Sequence, residues 1–392
     1  MHIEYNRTLP GTVALLLAIL FIGISVLSGC YGQGQPRGWS GATVSDDSLF
    51  TGSLDGRLVG LHKSDGSPLW QDEDAGMLGT SDSKVAIYGT PAAGGELVYV
   101  AGYNGKVYAF LASTGALRWV YPREGNLEGP IVSGVVVSQG RAYFGDAKGV
   151  VYALDMVTGD KLWSFETQDK VWSTPAINGD TLYVTSFDKK LYALNTSDGR
   201  QKWQFEADGV SVSTLLIYEN TVYFGTFDRR VYAVNAATGS LKWRSEVEGG
   251  KWFWAEPVAY NNVIYAPNLD GKVYILNAEN GSEVASAVNL GSPISSSPVL
   301  AGNKVIIATE EGTVYSLDTT SHQTLIVDVR EATEKAPKNT DRKIYAPLSA
   351  ANSVVYIKAQ TSSEDALYAV NVETEQILWS QSLIISETSE GD

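Results

Sequence analysis

A short motif recurs eight times between residues 59 and 379. In its clearest copy, Gly159 follows Tyr152 by seven positions and Trp163 follows it by eleven. Counterparts of Tyr152 mark the other copies: Val59, Tyr108, Tyr192, Tyr232, Tyr274, Tyr315 and Tyr368. Neighbouring markers are 40 to 53 residues apart. This spacing is typical of a four-stranded propeller blade and is longer than most helical repeats.

Each repeat has the pattern of four short strands. Residues 171–207 contain four such runs separated by turn residues, without helical periodicity. Asp55-Gly56 and Asn104-Gly105 suit tight hairpins between second and third strands, because such turns need positive φ. Eight antiparallel meanders predict an all-β fold, an eight-bladed β-propeller of four-stranded blades over residues 39–385. A linear solenoid is the alternative. The runs Gly41 to Val44 and Ile377 to Gln381 supply a first and a last strand, so closure needs no exchange between the termini.

The tryptophans of the motif occupy one structural position. They are Trp70, Trp119, Trp163, Trp203, Trp243 and Trp379, and Ala285 and Ile326 replace them in the sixth and seventh repeats. The pattern from Ala153 to Trp163 resembles the tryptophan-docking repeat of quinoprotein-type (PQQ-like) propellers. The resemblance covers roughly residues 39 to 380, and it implies that each indole wedges between two blades.

The N-terminus is predicted to be an export signal. Residues Thr12 to Val26 are mostly apolar and lead into Leu27-Ser28-Gly29-Cys30, which resembles a lipobox. We expect a lipoprotein signal peptide at 1–29, lipidation of Cys30, a tether at 30–38 and an acidic tail at 386–392. An uncleaved membrane anchor and an ordinary secretory signal are the alternatives. Tyr31 is not the aspartate that resembles an inner-membrane retention signal, which favours the outer membrane or the cell surface.

The charge pattern argues against some partners and marks one face. The net charge of −15 argues against nucleic acid, and leaves the lipid anchor as the expected membrane contact. Five repeats carry a cation two positions before the marker: Arg57, Lys106, Lys190, Arg230 and Lys272. These cations are predicted to form a broken ring beside the hairpins. Alternatively, aspartates at positions 55, 188, 228 and 270 neutralise four of them in place.

Five aromatic residues precede the first strands of their repeats. They are Trp39, Tyr88, Trp172, Trp254 and Tyr345. In a propeller these positions share a face with the hairpins, so the rings are expected to rim the channel mouth. Simple packing on a neighbour is the alternative. Aromatic residues beside Arg and Lys are typical of protein interfaces, so this is the candidate face for a partner or ligand. The loops Gln71 to Lys84 and Glu331 to Lys343 also emerge there.

The sequence favours a non-catalytic scaffold over an enzyme. His62 and His322 are the only histidines after Cys30, and Cys30 is the only cysteine, so neither a metal cluster nor a histidine triad is expected. Among lipid-anchored PQQ-like propellers, the chain resembles the BamB type, an accessory factor of β-barrel assembly. That resemblance implies envelope protein partners and no cofactor. A glycan-binding propeller and a PQQ-dependent dehydrogenase remain as alternatives, although the chain lacks the cysteine pair of many such enzymes.

Overall fold

The computed structural model describes residues 38–79, 84–245, 250–327 and 342–384. None of these residues belongs to a helix, so the described part contains no helix that could cross a membrane. Cys30, most of the tether and the acidic tail lie outside the described residues. So do residues 80–83 of the first loop and residues 331–341 of the second.

The described residues form eight antiparallel sheets in chain order. Blade 1 contains β1 (Ala42–Ser45), β2 (Ser48–Gly52) and β3 (Leu58–His62), and blade 2 contains β4 (Ala92–Gly94), β5 (Leu97–Gly102), β6 (Lys106–Leu111) and β7 (Leu117–Tyr121). Blade 3 contains β8 (Val136–Ser138), β9 (Arg141–Gly145), β10 (Val150–Asp155) and β11 (Lys161–Glu166), and blade 4 contains β12 (Ala176–Asn178), β13 (Thr181–Thr185), β14 (Lys190–Asn195) and β15 (Gln201–Glu206).

The second half repeats this arrangement. Blade 5 contains β16 (Leu216–Tyr218), β17 (Thr221–Gly225), β18 (Val231–Asn235) and β19 (Leu241–Arg244), and blade 6 contains β20 (Val258–Tyr260), β21 (Val263–Pro267), β22 (Lys272–Asn277) and β23 (Glu283–Asn289). Blade 7 contains β24 (Val299–Ala301), β25 (Lys304–Ala308), β26 (Val314–Asp318) and β27 (Thr324–Val327), and blade 8 contains β28 (Ser349–Ala351), β29 (Val354–Gln360), β30 (Asp365–Asn371) and β31 (Gln376–Ser382).

The first strands of the blades form a closed ring. Each first strand contacts that of the next blade, and β28 of blade 8 contacts β1 of blade 1. Every strand pairs with its sequence neighbours, so no strand is exchanged between the ends of the chain. The predicted eight-bladed β-propeller is therefore confirmed, and the solenoid alternative is wrong.

Blade 1 differs from the predicted four-stranded pattern, because its sheet has three strands. An irregular segment lies along the outer edge of β3, where isolated bridges join Arg57 to Met77 and Leu61 to Pro68. Trp70 nevertheless keeps the position of its counterparts, with its Nε1 donating to the carbonyl of Ala112 at 3.0 Å. Blade 1 therefore keeps its wedging tryptophan, although an irregular segment takes the place of the fourth strand that carries the tryptophan in other blades.

The apolar core lies between the blades. Blades 2 and 3 bury Tyr99 and Val107 against Phe144, and blades 8 and 1 bury Leu367 and Trp379 against Leu49. Alternating side chains of a strand point to opposite faces of its sheet, so each blade contributes to the packing on both sides. The ring is stable as a unit because no blade buries its faces alone.

Each wedging tryptophan binds the next blade in the same way. Trp163 Nε1 donates to the carbonyl of Thr196 at 3.0 Å, and Tyr143 OH donates to the same carbonyl at 3.1 Å. A Cβ added to Gly199 would lie 2.6 Å from the Trp163 ring, so only glycine fits beneath the indole. Corresponding bonds run from Trp119 to Met156, Trp203 to Ala236, Trp243 to Ala278 and Trp379 to Lys63. The last of these closes the ring.

A buried ion pair within blade 8 also contacts blade 1 at the closing interface. Lys358 Nζ lies 3.1 Å from Asp365 Oδ2, and both side chains are almost fully buried. Asp365 accepts a hydrogen bond from the backbone N–H of Leu54 at 3.0 Å, and Lys358 donates to the carbonyl of Gly52. Through these charged groups blade 8 binds Gly52, at the end of β2, and Leu54 of the following hairpin, while Trp379 binds Lys63.

Candidate protein-interaction face

Hairpins and leading segments share one face of the propeller. A leading segment is the stretch directly before the first strand of a blade. The N–H of Phe187 in the β13–β14 hairpin donates to the carbonyl of Lys170 at 2.9 Å, and Phe227 N–H donates to Val210 at 2.8 Å. Leu269 N–H donates to Trp252 at 3.0 Å in blade 6. These bonds fix each hairpin beside its leading segment, which is the arrangement expected from the sequence.

Five aromatic side chains form a continuous platform over blades 4, 5 and 6. The aromatic platform consists of Trp172, Phe187, Phe227, Trp252 and Trp254. Trp172 packs edge-on against Phe187 with ring centroids 4.8 Å apart, and Phe187 lies 6.5 Å from Phe227. Phe227 stacks on Trp252 at 4.4 Å and on Trp254 at 5.9 Å. The five rings therefore pack on their neighbours and, at the same time, form one shared surface.

The platform remains partly exposed and already binds one cation of the chain. All five rings keep intermediate exposure. Lys170 Nζ lies 5.8 Å from the centre of the Trp172 ring and 5.7 Å from that of Phe187. The indole Nε1 of Trp172 is buried without an acceptor in the described part of the chain. Buried indole N–H groups usually find a partner, so this unpaired donor is a cost that the fold retains.

The remaining predicted aromatics lie apart from the platform. Trp39 packs edge-on against Tyr88 at 4.5 Å, and Tyr88 packs against Tyr103 at 5.3 Å. Burial raises the pKa of Tyr88 to about 12. Burial and the nearby Glu310 carboxylate raise the pKa of Tyr345. The five aromatic residues predicted to rim the channel therefore do not form one ring. Trp39 contacts Tyr88; Trp172 and Trp254 belong to the platform; Tyr345 stands apart. The ring is interrupted because the aligned positions in blades 3, 5 and 7 are Val132, Val212 and Ser295.

Three members of the platform were not predicted from the sequence. Phe187 and Phe227 directly precede Asp188 and Asp228, at corresponding positions of neighbouring repeats. Aligning this hairpin position would have revealed them. Trp252 has no aromatic counterpart in the other repeats, so its contact with Phe227 was visible only in three dimensions.

The five predicted cations all lie at hairpins, but the structure pairs them in different ways. Arg57 Nε lies 3.5 Å from Asp55 Oδ2. Lys190 Nζ donates to Gln168 Oε1 at 3.2 Å, and Arg230 Nη1 donates to the carbonyl of Ser245 at 2.7 Å. Neither Lys106 nor Lys272 forms an ion pair within the described residues. Among the described residues, four of the five cations therefore form no ion pair.

The expected neutralisation by aspartates holds only for Arg57. Asp188 instead accepts from the backbone N–H of Lys190 at 3.0 Å and from Tyr192 OH at 2.6 Å. Asp270 accepts in the same way from Lys272 N–H and Tyr274 OH. Burial and the adjacent carboxylate raise the pKa of both tyrosines. These aspartates brace the hairpins, because a short carboxylate side chain bonds more easily to backbone two residues on than to a lysine tip.

A family model confirms the assignment suggested by the repeat. The model described as outer membrane protein assembly factor BamB matches residues 33–126, 72–174 and 147–381. The chain belongs to the BamB family. Curated BamB proteins of Pseudomonas aeruginosa, Legionella pneumophila and Kangiella koreensis are similar to it, with 36%, 30% and 29% identity over 151, 149 and 132 residues. These matches cover 38%, 37% and 33% of this chain and 38%, 37% and 32% of those proteins, so the chain spans about a third of their length.

Solved structures share the BamB-family fold over most of the chain. The crystal structure of BamB from Moraxella catarrhalis aligns with a TM-score of 0.66 and 18% identity, covering 87% of this chain and 95% of that one. The computationally designed Ika8 protein aligns with a TM-score of 0.68 and 16% identity, covering 86% and 97%. At such identities the likeness concerns the fold alone.

Proposed function

We propose that the chain is a non-catalytic scaffold in outer-membrane protein assembly, and that its platform face docks on an envelope protein partner. Membership of the BamB family supports the role in outer-membrane protein assembly. The observation that carries the surface is the aromatic platform, because five partly exposed rings spanning three blades resemble the aromatic centre of a protein interface. Hairpin cations beside the platform, such as Lys190 and Arg230, would form its polar rim.

The proposal includes a lipid anchor at Cys30 and no catalytic site or cofactor. Lipidation would hold the propeller at the outer membrane or the cell surface, near an envelope partner. Labelling with a radioactive fatty acid tests this part, since wild type should incorporate the label and Cys30→Ala should not. Equal labelling of both would contradict a lipid anchor at this residue.

The docking surface is tested by in-cell cross-linking of the full-length lipoprotein, followed by mass spectrometry of the captured proteins. We expect β-barrel assembly components to be recovered with wild type. Trp172→Ala combined with Trp254→Ala should abolish this capture and leave the melting temperature nearly unchanged.

Leu241→Ala is the matched control. It removes an apolar side chain of 48% exposure from the outer strand β19, away from the platform, and should leave capture intact. Recovery of polysaccharide machinery or of a redox chain would contradict the assembly function and favour the glycan-binding or quinone-dependent alternatives. Loss of the fold in the double variant would show that the two indoles serve packing instead.

A further inference from the structure

Glu256 is the one charged residue at a repeated position on the inner wall of the propeller. This position lies two residues before the inner-strand residue that pairs with the third residue of the second strand. Its eight occupants are Gly41, Thr90, Gly134, Thr174, Thr214, Glu256, Ser297 and Pro347. Contacts follow the ring, since Thr174 Oγ1 accepts from Gly134 N–H at 2.9 Å and Ser297 Oγ accepts from Glu256 N–H at 3.1 Å. Seven neutral residues and one carboxyl group therefore border the axial channel.

Among the residues that the structure describes, the Glu256 carboxyl group has no partner. The described residues give it neither a hydrogen bond nor an ion pair, and protein surrounds it closely enough that desolvation raises its pKa to about 7. Its residue is nevertheless not sealed from solvent. A carboxylate that protein encloses on most sides is poorly solvated, so a cation placed beside it interacts with it more strongly than it would in bulk water.

Glu256 lies on the same side of its segment as two platform rings. From Trp252 to Val258 exposure alternates residue by residue, with Trp252, Trp254, Glu256 and Val258 more exposed than the residues between them. Alternate residues of an extended segment share a face and are about 6–7 Å apart. Glu256 therefore lies on the same face of the segment as Trp254 and two positions closer to the inner strand β20. Trp254 lies at the edge of the platform.

We infer that Glu256 and Trp254 form a pocket for a cationic side chain, a lysine or arginine that a docking partner inserts into the channel mouth. This inference rests on the proposed docking function. Aromatic faces and a poorly solvated carboxylate both attract ammonium and guanidinium groups. Lys170 over Trp172 is an example within this chain of a cation bound by the platform.

The donor set favours an organic cation over a metal ion. Divalent cations such as Ca²⁺ take six to eight oxygen ligands, usually with several carboxylates. Within the described ranges, no group of three or more His, Cys, Asp or Glu side chains lies together. A single carboxylate beside aromatic rings matches a side chain that carries one positive charge at the end of an aliphatic chain, as lysine and arginine do.

The test titrates purified full-length lipoprotein with three blocked tripeptides, each Gly-X-Gly, in which X is lysine, arginine or the neutral isostere norleucine. Binding is followed by NMR chemical shifts at pH 8, where Glu256 is ionised. We expect the two cationic peptides to bind at least about tenfold more tightly than the norleucine peptide. Glu256→Gln should remove this preference. Glu310→Gln is the matched control, because it removes a carboxylate near Tyr345 on the same face, and it should keep the preference.

Two results would overturn the pocket. One is equal binding of the lysine and norleucine peptides to wild type; the other is an unchanged preference in Glu256→Gln. Tight Ca²⁺ binding that depends on Glu256, without peptide binding, would also contradict it in favour of a metal site. Because the titration uses no cellular partner, its failure leaves the cross-linking test of the docking function unaffected, and the reverse also holds.

Discussion

The interfaces from blade 2 to blade 6 follow the repeat closely, whereas those between blades 6 and 7 and between blades 7 and 8 depart from it. Between blades 4 and 5, Trp203 and Tyr183 both donate to the carbonyl of Ala236, and Gly239 lies under the indole. Between blades 6 and 7, Ala285 replaces the tryptophan and His322 replaces the glycine. The His322 ring lies 6.4 Å from Tyr265, close to the 5.7 Å between Trp203 and Tyr183. The histidine thus occupies the space that an indole fills elsewhere.

The interface between blades 7 and 8 departs further. Ile326 replaces the tryptophan and is 55% exposed, and Ile306 replaces the paired tyrosine. The carbonyl that accepts from an indole elsewhere belongs here to Val372, and it accepts from Lys304 Nζ at 3.2 Å. A propeller can therefore close with several kinds of blade interface, provided that the receiving carbonyl finds a donor and the space beside the turn is filled.

The largest expected effect separates the two kinds of interface. Trp203→Ala should lower the free energy of unfolding by about 3–5 kcal/mol, because it removes a packed indole and its hydrogen bond. Ile326→Ala, at the corresponding position of blade 7, should cost less than about 0.5 kcal/mol because this side chain is mostly in water. Urea unfolding measures both values. Equal losses would mean that Ile326 wedges between the blades as the tryptophans do.

The second effect concerns Glu256, a departure within blade 6. Because its pKa in the folded state is raised to about 7, the folded protein binds more protons than the unfolded chain between about pH 4.5 and 7. Stability from this group is therefore present below pH 4.5 and is lost as the pH rises to 7. The loss is about 3 kcal/mol, at 1.36 kcal/mol for each pH unit.

Glu256→Gln tests this sign. The free energy of unfolding of the variant, relative to wild type, should rise by about 3 kcal/mol between pH 4.5 and pH 8. Glu310→Gln should show no comparable rise. A difference that stays constant with pH would mean that Glu256 is solvated in the channel.

Much of this architecture follows from the sequence, because the repeat acts locally. Gly199 is placed by a single turn and Trp163 by a single pair of strands. Their positions within their repeats therefore predict their places in the fold. Two of the five platform rings, Trp172 and Trp254, were predicted because they belong to the aligned position. The other three, Phe187, Phe227 and Trp252, do not belong to it. The role of His322 could not be predicted, because it depends on the loss of an indole 37 positions earlier, at Ala285. Such compensation needs the spatial neighbour and is not a property of either repeat alone.

The exchange between blades 6 and 7 gives the third prediction. Ala285→Trp alone should destabilise by about 1–3 kcal/mol, because the His322 ring occupies the space that the new indole needs. His322→Gly in the same chain should recover much of this loss, with a coupling energy of about 0.5–3 kcal/mol in a double-mutant cycle. A Cβ added to Gly281, the counterpart of His322 in blade 6, would lie 2.5 Å from Trp243, which supports the clash. Additive effects of the two changes would show that the residues do not share one space.

The smallest effect concerns Lys304, whose amino group takes the place of the indole N–H as hydrogen-bond donor between blades 7 and 8. Lys304→Met keeps the aliphatic stem but removes the donor to the Val372 carbonyl, so we expect a loss of about 1 kcal/mol, the value of one partly exposed hydrogen bond. Lys161→Met on the outer strand β11 is the matched control and should change the urea midpoint by no more than a typical surface substitution. If Lys304→Met equals this control, the Val372 carbonyl is satisfied by water. The blade 7–8 interface would then depend on apolar packing alone, such as that of Val314 against Ile357.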